Sequence, residues 1–242
     1  QNKMNPIEES VCLITGGSKG IGYGIAESLV EYGARVAVTS RSKSNAEQAA
    51  DSLSTAGSGQ AIGIEADVRN LSDQEDCIEQ ILDQWGRLDV VIANAGLGHF
   101  ASIEDLSPEQ WHQTIDTNLT GVFNTIKPAI DPLKDSEGYF ITIASLAGKN
   151  FFPTGSAYNA SKWGLVGFTQ AVMLDLRYYG IKTSTIMPGS VASHFNQNTP
   201  DASDAWKIQP EDLGKMVIDL LTMPARTLPS KIEVRPSQPP KK

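Results

Sequence analysis

Tyr158 and Lys162 stand four positions apart in the run Tyr-Asn-Ala-Ser-Lys. On a helix that spacing puts both side chains on one face. A free phenol titrates near 10 and is a poor acid at neutral pH. An ammonium a few ångströms away favours the phenolate and is expected to lower that value. Tyr158 then gives a proton to a carbonyl oxygen or takes one from an alcohol, help worth about 10²–10⁴-fold in rate. Ser145 lies thirteen residues earlier, just past the apolar run Phe140–Ile143. A hydroxyl at the carboxyl end of a parallel strand can hydrogen-bond a substrate oxygen and fix it beside the tyrosine. Asn118, in Asp116-Thr117-Asn118-Leu119, interrupts a helical stretch, and its side chain is expected to hold a water for proton relay.

A second constellation binds rather than reacts. Thr15-Gly16-Gly17-Ser18-Lys19-Gly20-Ile21-Gly22 joins an apolar run to a helical pattern. Four glycines in these positions let backbone approach a pyrophosphate, whose charge the helix N-terminus then meets. A chain that prefers NAD places an acid about 20 residues further on, for the ribose 2′-OH. Here no acid occurs between Ala34 and Ala46, and the second strand ends in Thr39-Ser40-Arg41-Ser42-Lys43. Arg41 can pair with a 2′-phosphate and lay its guanidinium plane against adenine. Lys19 adds a second positive charge, so the expected cofactor is NADP(H). An oxidised nicotinamide beside Tyr158 would favour the phenolate as well.

The elements that must position these groups alternate along the chain. Apolar runs at Val11–Ile14, Val36–Val38, Ile62–Ile64, Val90–Ala93, Phe140–Ile143, Thr183–Ile186 and Ile232–Val234 read as strands. Between them come helical stripes such as Ile21-Ile25-Leu29 and Cys77-Ile81-Trp85, a helix opened by Ser107-Pro108-Glu109, another from about Tyr158 to Tyr179, and Glu211–Leu221. Strands apolar on both faces, each followed by a helix, specify a parallel sheet covered on both sides. The expected fold is α/β: one doubly wound, Rossmann-type domain over residues 1–242 with about seven strands. A short substrate loop is expected at about 192–209 and a loose tail at 236–242.

The chain has 242 residues, 28 acids and 20 Lys plus Arg, for a net charge of −8. A field of that sign repels nucleic acid and anionic membrane. Cys12 and Cys77 form neither a metal spacing nor a disulfide framework, and both read as core thiols. The first ten residues lack an apolar signal core and no run reaches the ~18 apolar residues of a span, so the expected location is the cytoplasm.

The glycine turn, Asn94-Ala95-Gly96, Asn118, Ser145, Tyr-x3-Lys and Pro188-Gly189 follow one another in an order that resembles the classical short-chain dehydrogenase/reductase family. The likeness covers about residues 8–235, and Arg41 after Ser40 is similar to NADP-preferring members, 3-oxoacyl-(acyl-carrier-protein) reductases among them. The resemblance implies a catalytic tetrad of Asn118, Ser145, Tyr158 and Lys162. In it Tyr158 is the acid/base and Ser145 polarises the carbonyl. Lys162 holds the nicotinamide ribose and lowers the tyrosine pKa, while Asn118 anchors a relay water. It also implies that Gly16, Ser18, Lys19, Gly20, Ile21 and Gly22 cradle the pyrophosphate beside Ser40 and Arg41. Asp67 and Val68 would contact adenine, Asn94, Ala95 and Gly96 the adenosine ribose, and Pro188, Gly189, Val191 and Ser193 the nicotinamide end. No metal is implied.

Two departures from the family pattern matter. Ala93 replaces the first Asn of the usual Asn-Asn-Ala-Gly, and the chain ends in Lys231-Ile-Glu-Val-Arg-Pro rather than a Gly-rich apolar segment. A homodimer or homotetramer is implied, with the polar ending favouring a dimer through the helices after Gln110 and Tyr158. The expected reaction is hydride transfer between NADP(H) and a carbonyl or secondary alcohol, most naturally reduction of a ketone or 3-oxoacyl-type substrate. The alternatives are an NADP-binding regulator without turnover, or an epimerase or dehydratase. His99, Phe100, Phe151, Phe152, His194, Phe195 and Trp206 suggest a partly apolar pocket.

Overall fold

The computed structural model describes residues 6–195 and 198–240. Seven strands are β1 (Val11–Ile14), β2 (Arg35–Ser40), β3 (Gln60–Glu65), β4 (Val90–Ala93), β5 (Tyr139–Ile143), β6 (Lys182–Pro188) and β7 (Lys231–Val234). Seven helices connect or flank them: α1 (Gly20–Glu31), α2 (Lys43–Leu53), α3 (Leu71–Trp85), α4 (Pro108–Ile115), α5 (Gly121–Ser136), α6 (Ser156–Leu176) and α7 (Pro210–Leu221). The sheet order is β3-β2-β1-β4-β5-β6-β7, and every pairing is parallel.

Side chains of a strand alternate between faces, and this alternation builds two cores. Cys12, Ile14, Val36, Val38, Val90, Ile92 and Ile141 turn to one side, where α1, α2 and α7 pack through Ile25, Leu29, Leu53, Leu213 and Val217. Val11, Leu13, Ala37, Val91 and Phe140 turn to the other, against Ile78 and Ile81 of α3, Val122 and Ile126 of α5, and Leu165 of α6. Both cysteines are free and buried, and burial pushes each thiol up to about 12.

The expected doubly wound sheet is therefore present, with differences in the helices. α2 is absent from the sequence reading because its buried stripe is Ala46, Ala49, Ala50 and Leu53, with one long aliphatic among small side chains. The stretch opened by Ser107 is two helices. Ser107 and Gln110 form a reciprocal capping box at the start of α4. A π-turn at Asp116–Thr120 then leads into α5, which continues through Pro128 and Pro132. α6 ends at Leu176 and tightens into a 3-10 turn at Arg177–Tyr179.

Chain order reverses at β1, whose neighbours are β2 and β4. Ligands of such sheets settle in the crevice at the carboxyl ends of the strands where the order reverses. Every group singled out above for chemistry lies at that edge of the sheet or in the loops leaving it.

Candidate active site

The glycine turn is clasped to the end of β4. Thr15 Oγ1 accepts from the backbone N–H groups of Asn94 at 3.1 Å and Ala95 at 3.2 Å. The Asn94 amide donates back to the carbonyls of Thr15 at 3.0 Å and Gly16 at 3.1 Å. Gly16 adopts φ +64°, a left-handed conformation that glycine takes without strain, and a Cβ there would lie 2.9 Å from Ala95 Cα. A Cβ on Gly22 would lie 2.5 Å from the Asn94 amide nitrogen. Lys19 is the N-cap of α1 and provides no side-chain cap, so the first N–H groups of the helix face the turn. A cavity of about 370 Å³ opens there, lined by Ser18, Lys19, Asn45 and Gln48 among others. This cradle of exposed N–H groups and absent side chains fits a dinucleotide pyrophosphate.

Ser40 ends β2, and Arg41 follows it into solvent. Asp67 pairs with Arg69, and that hydrogen bond is the first cause holding its carboxyl below the usual range; the Arg41 charge adds to the effect. Arg41 and Asp67 thus face the same space, where an adenosine would lie. Val68 is buried, and its carbonyl accepts from Asn124 at 2.9 Å. At the opposite end of the cleft, Pro188 ends β6 and the Gly189 N–H bonds the Val234 carbonyl at 2.8 Å. Val191 bridges Ile208, closing the base of the 192–209 loop, and Ser193 is buried near Gly20.

The four tetrad residues come together between these ends. Ser145 caps a short 3-10 turn at Leu146–Gly148, and its hydroxyl lies close enough to the Tyr158 phenol to pull the phenol's pKa downward. Lys162 lies one turn further along α6, with Nζ 5.7 Å from the Tyr158 ring centre. Its ammonium is buried and donates to the Ile143 carbonyl at 3.1 Å. Gly96 marks the meeting point: a Cβ there would stand 3.3 Å from Asn118 Oδ1 and 3.7 Å from Lys162 Nζ.

One expectation is corrected and another narrowed. Burial pushes the Tyr158 phenol above its ordinary 10, with the Ser145 hydroxyl pulling the other way. Desolvation of the phenolate is the larger of these two effects. The same burial brings Lys162 down from 10.5 to about 8. The Asn118 side chain is tied to protein through both of its polar atoms, which leaves a second Oδ1 lone pair for the expected relay water. Oδ1 accepts from the Leu97 N–H at 2.9 Å, and Nδ2 donates to the Leu97 carbonyl at 2.8 Å and Ser161 Oγ at 3.0 Å. Both amide hydrogens are spent, and the side chain ties the loop after β4 to α6. Ser161 carries that tie onward, donating to the Tyr158 carbonyl at 2.8 Å.

Sequence reasoning missed Thr15, Ser161 and Arg69. Thr15 and Ser161 sit inside the two motifs already singled out, so adjacency was the available signal. Arg69 had none beyond its charge. Among the described residues no helix is long and apolar enough to cross a membrane, and no cluster of His, Cys, Asp or Glu is placed to hold a metal.

Comparison with known proteins agrees with this geometry. Residues 10–204 match the family model described as short chain dehydrogenase. A 3-oxoacyl-[acyl-carrier-protein] reductase of Synechocystis is 34% identical over 196 residues, 81% of this chain and 79% of that protein. The structure of an alcohol dehydrogenase from the archaeon Thermococcus sibiricus, complexed with 5-hydroxy-NADP, superposes with a TM-score of 0.90 at 29% identity, covering 97% of this chain and 100% of that one. A 3-ketoacyl-(acyl-carrier-protein) reductase from Brucella melitensis, complexed with NADH, gives 0.85 at 25% identity over 96% and 98% of the two chains.

Proposed function

Because the chain belongs to the short-chain dehydrogenase family and is an oxidoreductase by that membership, we propose that it transfers hydride between NADP(H) and a carbonyl or secondary alcohol. Its working direction in this reading is reduction of a ketone or 3-oxoacyl-type substrate. The observation that carries the proposal is the convergence of Ser145, just past the end of β5, with Tyr158 and Lys162 of α6, whose Nζ lies 5.7 Å from the Tyr158 ring centre. A phenol alone is a poor acid at neutral pH, and the Lys162 ammonium beside it is the group that would ease release of its proton to a carbonyl oxygen gaining charge.

The chemistry NADPH would supply when bound in the cleft is the hydride that the carbonyl carbon gains. Ser145 donates a hydrogen bond to the substrate oxygen and holds it beside the phenol. Tyr158 then releases its proton to that oxygen. Lys162, at about 8, is largely charged at neutral pH, and its remaining N–H groups serve the nicotinamide ribose and the developing phenolate. Asn118 positions the loop after β4 and, through Ser161, the first turn of α6. The glycine turn with Ser18, Lys19, Gly20 and Ile21 holds the pyrophosphate. Arg41 selects the 2′-phosphate, Asp67 and Val68 border adenine, Asn94–Gly96 the ribose, and Pro188 to Ser193 the nicotinamide.

The oligomer in this reading is a homodimer or homotetramer built on α4 to α6, where Trp111, Phe123 and Trp163 remain exposed. Its place is the cytoplasm. The test of the reaction is NADPH consumption with a ketone panel. Tyr158→Phe is expected to bind NADPH as before and to lose at least ~10²-fold in turnover. Undiminished activity in that variant would remove the tyrosine from the mechanism.

A further inference from the structure

Phenylalanines from three different loops cluster beside Tyr158: Phe100 and Phe195 contact its ring, and Phe152 contacts Phe100. Phe100 follows β4, Phe152 follows the 3-10 turn after β5, and Phe195 follows β6. Phe100 meets Tyr158 edge-on with centroids 5.3 Å apart, and Phe195 lies 5.6 Å from Tyr158 on a tilted contact. Phe100 is also 6.0 Å from Phe152 and 6.4 Å from Phe195. These are the separations at which aromatic rings attract beyond simple area burial.

The backbone makes room for this box. A Cβ on Gly98 would come within 2.8 Å of the Phe100 ring and 2.9 Å of the Phe195 ring. One on Gly155 would come within 2.6 Å of Phe152. Yet the rings do not cover one another: Phe100, Phe152 and Phe195 keep 38%, 41% and 37% of their surface in water. An aromatic face left wet at the mouth of a cleft is unpartnered surface awaiting an apolar occupant.

We propose that this box selects flat, neutral, aromatic carbonyl compounds, aryl ketones and aryl aldehydes, as free small molecules; the proposal rests on the reductase reading above. Phe100 and Phe195 meet edge-on at 69° rather than as parallel walls, so an aryl group would seat on their exposed faces by further edge-to-face contacts. A ring seated there presents its attached carbonyl to Tyr158, which touches both phenylalanines. Charge argues against the larger acyl carriers. Lys149 is bound to Glu233 at 2.7 Å and Lys207 to Asp204 at 2.6 Å, so these two lysines of the flanking loops are already paired. A chain of net charge −8 repels an acidic carrier protein.

The test compares acetophenone with cyclohexyl methyl ketone, which share a carbon skeleton and differ in flatness and π-face. Calorimetric titration of the NADP⁺ complex should show the aryl ketone binding at least tenfold tighter. Phe195→Leu keeps apolar bulk without a π-face and should bring the ratio near one, as should Phe100→Leu, whereas Phe195→Tyr should retain it. A ratio near one in the unmodified protein, or a ratio that survives both leucine variants, overturns the proposal. So does tighter binding of a 3-oxoacyl thioester than of acetophenone. NADPH oxidation is scored separately. Aryl preference in binding with no turnover of any ketone would sink the reductase reading and leave the box standing. Turnover without preference would do the reverse.

Discussion

Lys162 combines a function with a cost, and the cost is measurable. Its side chain is 5% exposed, and burial lowers its pKa from 10.5 to about 8. Each pKa unit corresponds to about 1.4 kcal/mol, so a charged Lys162 destabilises the folded chain by roughly 3 kcal/mol. Below pH 8 the lysine is protonated both folded and unfolded, and the full penalty stands. Between pH 8 and 10.5 the folded chain has released a proton that the unfolded chain still binds, so stability rises with pH. Lys162→Met removes the charge and keeps the bulk, while the Ile143 carbonyl loses a partner worth about 1 kcal/mol. The variant should be about 2 kcal/mol more stable than the unmodified protein at pH 7. The gap should close to near zero by pH 10. Cys12, Cys77 and Tyr158 have raised values and contribute with the opposite sign, losing stability as pH rises through their titration. They are common to both proteins and cancel in the difference. Urea unfolding at pH 7 and pH 10, at one protein concentration and with equal m-values, gives the two numbers. A variant no more stable at pH 7, or a gap that does not narrow, would refute the reasoning.

Other consequences follow from single residues. NADPH should bind more tightly than NADH, and Arg41→Asp should erase or reverse that order in a fluorescence titration; equal affinities in the unmodified protein would remove Arg41 from cofactor choice. Asn118→Ala breaks three hydrogen bonds at a fully buried position. At about 1 kcal/mol each, stability should fall by about 3 kcal/mol, and a loss under ~0.5 kcal/mol in urea unfolding would show that the tie is not structural. Gly167 sits inside α6 with nothing within 4 Å of a Cβ. Gly167→Ala should therefore stabilise by roughly 0.5–1 kcal/mol, and a loss of stability would mean that this face packs against something.

What could be read from the sequence was whatever repeats locally. The strands are short apolar runs that alternate into two cores, and the glycine turn is continuous in the chain, so both stand out in one dimension. α2 did not, because a stripe of alanines carries little hydrophobic contrast. Asn118, Ser145, Tyr158 and Lys162 were found by residue type and order, but two of their properties depend on three-dimensional surroundings. The Tyr158 pKa is set by how much water the fold removes, and the Asn118 amide by which partners arrive from Leu97 and Ser161. The phenylalanine box was legible as a list of loop aromatics and not as a box, since Phe100, Phe152 and Phe195 are separated by 52 and 43 residues.

The π-turn at Asp116–Thr120 fixes something other than a shape. It inserts its widened turn between α4 and α5, and in that turn Asn118 reaches Leu97 on one side and Ser161 on the other. Removing one residue from the turn would restore an unbroken helix, a form the backbone prefers. It would also move Asn118 out of the widened turn from which it reaches both partners. The outward residues of this stretch are free to drift in identity, because solvent accepts many side chains. Their number is not free. A one-residue insertion or deletion between Pro108 and Ser136 is therefore expected to part the inward-facing Asn118 amide from Leu97 or from Ser161.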